Sequence, residues 1–399
     1  MVKTKLAALV LAATTAAAIA GVNPLENVAE NDVADDVDLQ ALHVDRPVVD
    51  AVFVLDTTGS MSGLIETAKD KIWSIASTMA SAQPSPRIRI GLVAYRDRGD
   101  DYVVKTVELS ENLDAVYAEL MQFQAGGGGD GPESVNAALD AAVNQLNWSE
   151  QQQAYRVVFL VGDAPPHMDY QDEKQYPEIV AEARSKGIVI NAIQCGNMVE
   201  TAAPWTQIAG LGGGMFFQVE QAGGAVAYST PYDSDLATLA TRLDETRLYY
   251  GSEAEQSAMA DKVAAARSID AMASEEARAR RGVFNLSGAG RVNKLGHKEL
   301  VSDYAAGDVD LDSLDEAELP AAIGSLEKPE QKAFLDELVA ERAEVESEMQ
   351  ALAKARAEFI ARKVKEEGGA EDSLDHKLYE AISRQSVSAG LEYEDGPAY

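Results

Sequence analysis

Asp56-Thr-Thr-Gly-Ser-Met-Ser62 places one carboxylate and several hydroxyls within seven residues. On a tight turn, Asp56, Thr58 and Ser60 can aim their oxygens at one point. An all-oxygen set suits a hard cation such as magnesium, calcium or manganese and disfavours softer metals. Ser62 follows as a neighbour at the rim.

The turn needs a rigid support, and the flanking sequence provides one. Val48 to Leu55 is an almost continuous apolar run of strand length, and a helical pattern runs from Ser60 to about Ala82. That combination predicts a buried parallel strand feeding a helix. The alternation then repeats. Strand-like runs at 87–95, 102–109, 155–161, 188–195 and 215–219 are interleaved with helical patterns at 113–123, 134–146, 176–186 and 200–211. The predicted fold is α/β: a Rossmann-like, doubly wound, mostly parallel sheet covered on both faces, with ligands at the carboxyl ends of its strands.

At Asp56, Thr58 and Ser60 the chain resembles the von Willebrand factor type A (VWA) family, whose metal-ion-dependent adhesion site (MIDAS) uses Asp-x-Ser-x-Ser, a Thr from a later loop and an Asp after the fourth strand. The resemblance covers the α/β part, somewhat under half of the chain. It implies that Asp163, in Phe159-Leu-Val-Gly-Asp-Ala-Pro165, is a further ligand and that Thr58 replaces a Ser. Where the family usually has Gly-Gly-Thr, this chain reads Gly126-Gly-Gly-Gly-Asp-Gly-Pro-Glu133, so the resemblance puts Asp130 at the Thr position. Three ionised aspartates around a divalent ion would leave one net negative charge, implying tight constitutive metal binding and little welcome for a partner carboxylate. Asp130 as the cap of a helix starting near Pro132 is the alternative. The Gly-rich wording and Gly-Asp-Ala-Pro-Pro-His167 are similar to a bacterial and protist branch of the family that includes domains linked to atypical kinases, but no kinase-like lobe or nucleotide signature is visible.

Other residues invite chemistry less strongly. Gly126 to Gly131 fits Gly-x-Gly-x-x-Gly, but a dinucleotide fingerprint must follow a strand and this run follows a helical pattern. His167 and Glu133 are the candidates for a general base in a metal-assisted hydrolase, yet no Gly-x-Ser-x-Gly elbow accompanies Ser60. Both are expected at the rim or behind the ligands. So is Asp97, in Tyr95-Arg-Asp-Arg-Gly-Asp100. Cys195, the only cysteine, lies in an apolar strand pattern and reads as a buried thiol.

A net charge of −32 argues against nucleic acid, because phosphate binding needs a basic face. Lys3 and Lys5 precede an apolar run to Ala20, the pattern of a signal peptide, which predicts a secreted or periplasmic protein without stable membrane insertion. The expected organisation is a signal peptide at 1–20, an acidic flexible leader at 21–46, the VWA domain at 47–222, a helical extension at 223–282, an irregular segment at 283–313, a helical and heptad segment at 314–368, and an acidic tail at 369–399. One helix is expected from Ser252 to Arg281. Apolar residues at heptad spacing between Leu335 and Lys363 suggest either packing on the appendage or homo-oligomerisation, although Arg342, Arg356 and Lys363 interrupt one row. The expected function is a non-enzymatic, MIDAS-type module that binds a protein or envelope component. A metal-stapled structural protein and a metal-assisted hydrolase are the alternatives.

Overall fold

The apolar run Val48–Asp56 forms strand β1, buried at all nine positions. A strand buried on both faces needs a neighbour on each edge and helices above and below. Arg87–Tyr95 (β2) and Tyr155–Gly162 (β4) pair with it in parallel, one on each side. Val104–Ser110 (β3) lies antiparallel beyond β2, while Ile188–Cys195 (β5) and Gly213–Val219 (β6) extend the opposite edge in parallel. The resulting order, β3-β2-β1-β4-β5-β6, is doubly wound. Strand order reverses at β1, so the crevice for a ligand lies beyond the carboxyl ends of β1 and β4.

Alternate residues of β1 face two different cores. Val49, Ala51, Phe53 and Leu55 pack with Ser62–Ala80 (α1) and Leu113–Met121 (α2). Val52 and Val54 pack with Val135–Asn144 (α3), Tyr176–Ser185 (α4) and Val199–Gly212 (α5). The computed structural model describes residues 46–129, 131–222, 228–366, 373–393 and 396–397. The expected signal peptide, nearly all of the acidic leader and Asp130 lie outside the described residues. Among the described residues, no helix is long and apolar enough to cross a membrane.

Beyond β6 the chain is helical, with two departures from expectation. The single helix expected from Ser252 to Arg281 is two, Glu253–Met272 (α7) and Glu275–Leu286 (α8), preceded by Asp233–Glu245 (α6). Ser274 starts α8 as its N-cap, accepting from the Ala277 N–H at 3.1 Å, and Glu275 and Glu276 fill the first turn. Arg278, Arg280 and Arg281 therefore sit within α8 rather than at a carboxyl terminus. Residues 283–313, expected irregular, carry the end of α8, then Gly288–Leu295 (α9) and Leu300–Ala306 (α10). The glycines there permit close packing instead of breaking helices: a Cβ on Gly282 would lie 3.0 Å from Met349 Cε and 3.1 Å from Ala240 Cβ.

After the short Ala321–Gly324 (α11), the heptad segment is one 39-residue helix, Lys328–Glu366 (α12). Its row with the arginines is the buried one, because each arginine meets an acid of the appendage. Arg342 donates to Glu299 Oε2 at 2.8 Å and to the Thr246 carbonyl at 2.9 Å, and Arg356 Nε donates to Asp233 Oδ1 at 2.8 Å. Leu335, Val345 and Met349 are buried on the same helix, packed within the chain.

The last segment returns to the sheet. Leu374–Gln385 (α13) places Leu374, Leu378, Ala381 and Ile382 in the same core as Phe53 and Trp73, and Ala389 and Leu391 follow them. Gln385 exchanges amide hydrogen bonds with Asn191 of β5 at 2.7 and 3.0 Å and accepts from the Tyr155 hydroxyl at 2.8 Å. Gln83 and Glu392 exchange backbone hydrogen bonds at 2.9 and 3.0 Å. Much of the stretch expected as an acidic tail thus covers the α1 face of the sheet.

Candidate metal centre

β1 ends on Asp56, and the chain turns through a short 3-10 segment, Gly59–Met61, into α1. Within that turn Asp56 Oδ1 accepts from the Thr58 N–H at 2.9 Å and from the Thr58 hydroxyl at 2.7 Å. Thr58 Oγ1 lies 3.3 Å from Ser60 Oγ. Asp56, Thr58 and Ser60 therefore converge as the sequence predicted. Ser62 opens α1 and is exposed.

Asp56 is fully buried, yet its second oxygen, Oδ2, has no hydrogen-bond partner. Burial pushes its carboxyl up to about 7, against hydrogen bonds from Thr58 and from the Asp163 backbone, and the Asp163 charge adds to the rise. Asp163 stands one residue past β4, 7% exposed. Its loop is fixed from α5: Thr201 Oγ1 donates to the Asp163 carbonyl at 2.7 Å and the Trp205 indole donates to the Ala164 carbonyl at 3.0 Å. Gly162 before it must lack a side chain, because a Cβ there would lie 2.5 Å from the Tyr95 hydroxyl oxygen and 2.9 Å from Asp56 Cβ.

The glycine run closes over this turn. The Gly126 N–H donates to the Thr57 carbonyl at 3.0 Å and the Gly59 N–H to the Gly127 carbonyl at 3.3 Å. Gly127 and Gly128 take φ of +76° and +78°, a region open to glycine. The run follows α2, not a strand, so its Gly-x-Gly-x-x-Gly spacing lacks the context of a dinucleotide site. α3 begins only at Val135, with Ser134 at its N-cap position, which corrects the expectation of a helix starting near Pro132. The Glu133 carbonyl, which a helix from Pro132 would give to residue 137, instead accepts from the His167 N–H at 3.1 Å.

Glu133 is more deeply placed than a rim residue. It is buried, its Oε2 lacks a partner, and its Oε1 faces Thr58 across Gly128. Burial, then the charges of Asp56, Asp97, Asp100 and Asp163, push its carboxyl up to about 9. Among the described residues no three of His, Cys, Asp and Glu converge as a preformed metal-binding set. Glu133 stands behind the ligands, its carboxyl held neutral by burial and the surrounding acids.

Asp97 and His167 form a support at the back. Asp97 accepts from Ser134 Oγ at 2.7 Å and from the Tyr170 hydroxyl at 2.9 Å. His167 lies 3.3 Å from Asp97 through Nε2 and 2.8 Å from Asp169 through Nδ1, with its ring stacked on Tyr170 at 4.1 Å. Cys195 is buried, as expected, and burial with the Asp163 and Asp56 charges pushes its thiol upward. Near the site, Gln221 escaped sequence reasoning, and Tyr95 was noted only as the start of the loop that carries Asp97. Tyr95 carries the generic signal of a strand end, whereas Gln221 carries none.

The fold and these side chains define a doubly wound α/β domain with an oxygen-lined crevice at its switch point. The donor set fits a hard divalent cation: two carboxylates and two hydroxyls, with one buried carboxylate oxygen unpartnered. The von Willebrand factor A domain family matches residues 50–221, which run from β1 to just past β6. The alpha-protein kinase vwkA of Dictyostelium discoideum is 30% identical over 120 residues, 30% of this chain and 19% of the kinase. Proximal thread matrix protein 1 from the mussel byssus shares 15% identity at a TM-score of 0.34, over 44% of this chain and 42% of that chain. Its structure with a zinc-occupied MIDAS motif gives 16% identity and a TM-score of 0.35, over 44% of this chain and 42% of that chain. The chain therefore spans about a fifth of that curated relative and under half of those structures.

Proposed function

We propose that this chain is an exported, metal-dependent binding module whose divalent cation, magnesium, calcium or manganese, is held by Asp56, Thr58, Ser60 and Asp163 and presented to a protein or envelope partner. The observation that carries this reading is the buried, unpartnered Oδ2 of Asp56 beside two hydroxyls, in a domain similar to the von Willebrand factor A family. A desolvated carboxylate oxygen without a donor is costly unless a proton or a cation meets it. When bound, the cation supplies a Lewis-acidic site for an oxygen of the partner.

The chain's own residues set that site up. Thr58 fixes the carboxylate of Asp56 through Oδ1 and leaves Oδ2 for the ion. Thr201 and Trp205 hold the loop that carries Asp163. Glu133, held neutral in the metal-free protein, adds a negative charge from behind once a cation draws off its proton. The reading contains no catalytic step, and His167 is stacked on Tyr170 and tied to Asp97 and Asp169.

The test is titration of the metal-stripped protein with magnesium, calcium and manganese, comparing wild type with Asp56→Ala. Metal binding in wild type that disappears in the variant is expected, along with loss of partner capture and little change in the metal-free melting temperature. If the ion is only a staple, Asp56→Ala would abolish metal-dependent thermal stabilisation without affecting capture.

A further inference from the structure

Asp163 is contacted by a side chain from outside the sheet. Gln221, two residues past β6, donates from Nε2 to Asp163 Oδ2 at 2.7 Å. The same nitrogen lies 3.5 Å from the Ser60 carbonyl oxygen and 3.7 Å from Met61 Sδ. All three neighbours are acceptors, so the amide presents its NH2 group to the crevice. Its Oε1 turns toward Gly196, at φ +73°, where a Cβ would collide with it. Ala222 is latched beside it: its carbonyl accepts from Thr67 Oγ1 at 2.8 Å, and its Cβ sits where it would lie 3.2 Å from a Cβ on Gly63. Residues 220–222 thus run from β6 over the start of α1, at the joint that leads to the helical appendage.

We propose that Gln221 is an internal stand-in for the cation. The inference rests on the metal-binding reading above and adds a competitor to it. In the metal-free protein the amide NH2 satisfies the outward oxygen of Asp163. An entering cation draws on the same carboxylate and must displace or share that donor. Binding then weakens the hold of Gln221 on Asp163 and loosens residues 220–222 from α1. Because the two events are linked, the closed latch weakens cation binding by the same factor by which the cation weakens the latch. The joint to the appendage therefore registers whether the centre is loaded.

Manganese is the probe, with the full chain and two variants, Gln221→Ala and Gln221→Met, the second keeping volume without the donor. Gln221 is exposed, so both variants are expected to fold. Calorimetry should show manganese binding about five- to tenfold tighter in both variants than in wild type, within the range for the loss of one ordinary competing hydrogen bond at an exposed side chain. In wild type, manganese should also speed deuterium uptake by the peptide covering 217–222. Unchanged or weaker affinity in both variants, or uptake that manganese leaves unaltered or slows, would overturn the stand-in. Failure of wild type to bind manganese at all would overturn the metal reading and the inference with it.

Discussion

At the scale of single residues, the centre is a set of acids that the fold has made unwilling to ionise without a cation. Asp56 is pushed up to about 7 and Glu133 to about 9, far above the range of exposed carboxyls. Both stay protonated in the folded, metal-free protein at pH values where the unfolded chain has released the protons. Their contribution to stability is thus complete below the unfolded values near 4 and is lost as pH rises through the folded ones. The melting temperature of the metal-free protein should fall between pH 5 and pH 9, added magnesium should recover more of it at the higher pH, and Glu133→Gln should flatten the decline. Scanning calorimetry with and without chelator measures all three. Gly162→Ala should cost about 1–3 kcal/mol by overpacking against Tyr95 and Asp56, and should also weaken metal binding; urea denaturation and titration give the two numbers. The ligand turn was legible because Asp56, Thr58 and Ser60 are local to one another. The burial of Glu133 was not, since it depends on a backbone pairing with Pro165 from a distant loop.

At the scale of elements, apolar periodicity revealed the strands but concealed how the helices are held. β1, β4 and β5 are mostly apolar runs, and in each at most one position is less than fully buried. In the appendage the information lies in ion pairs that one-dimensional patterns do not show. Arg281 of α8 meets Asp114 of α2 with two hydrogen bonds, at 2.7 and 2.6 Å, and a third at 2.6 Å goes to Asp244 of α6. Burial works against the ionised form of Asp114, yet Arg281 holds its carboxyl below the usual range. Removing one partner leaves the other charged in a dry place. Arg281→Met should therefore cost about 3–5 kcal/mol in urea denaturation, and Asp114→Asn in the same chain should return part of it. The arginines of α12 misled for the same reason: at a seam they read as interruptions, although Arg342 and Arg356 face Glu299 and Asp233.

At the scale of the whole molecule, the domain is not a contiguous piece of sequence. The family match ends at residue 221, but Leu378 and Leu391 belong to the core of β1. Leu378→Ala should lower stability by about 2–5 kcal/mol, as for other buried leucines. The loss should appear in the sheet as well as in the helices. The chain's three tryptophans, Trp73, Trp148 and Trp205, all lie before β6, so their fluorescence follows the sheet, while far-ultraviolet dichroism is weighted toward the helices of the appendage. Coincident midpoints from the two signals are expected, and separated ones would mean that the two parts unfold independently. The closing segment also has a consequence in time. A ribosome makes β1 to β6 first and α13 last, with the entire appendage between them. At roughly 5–20 residues per second, the sheet waits on the order of ten seconds for the helix that covers its α1 face. During that interval an apolar groove floored by Phe53 and Leu55 stands open on the nascent chain, and a message truncated ahead of α13 would yield a product in which it never closes.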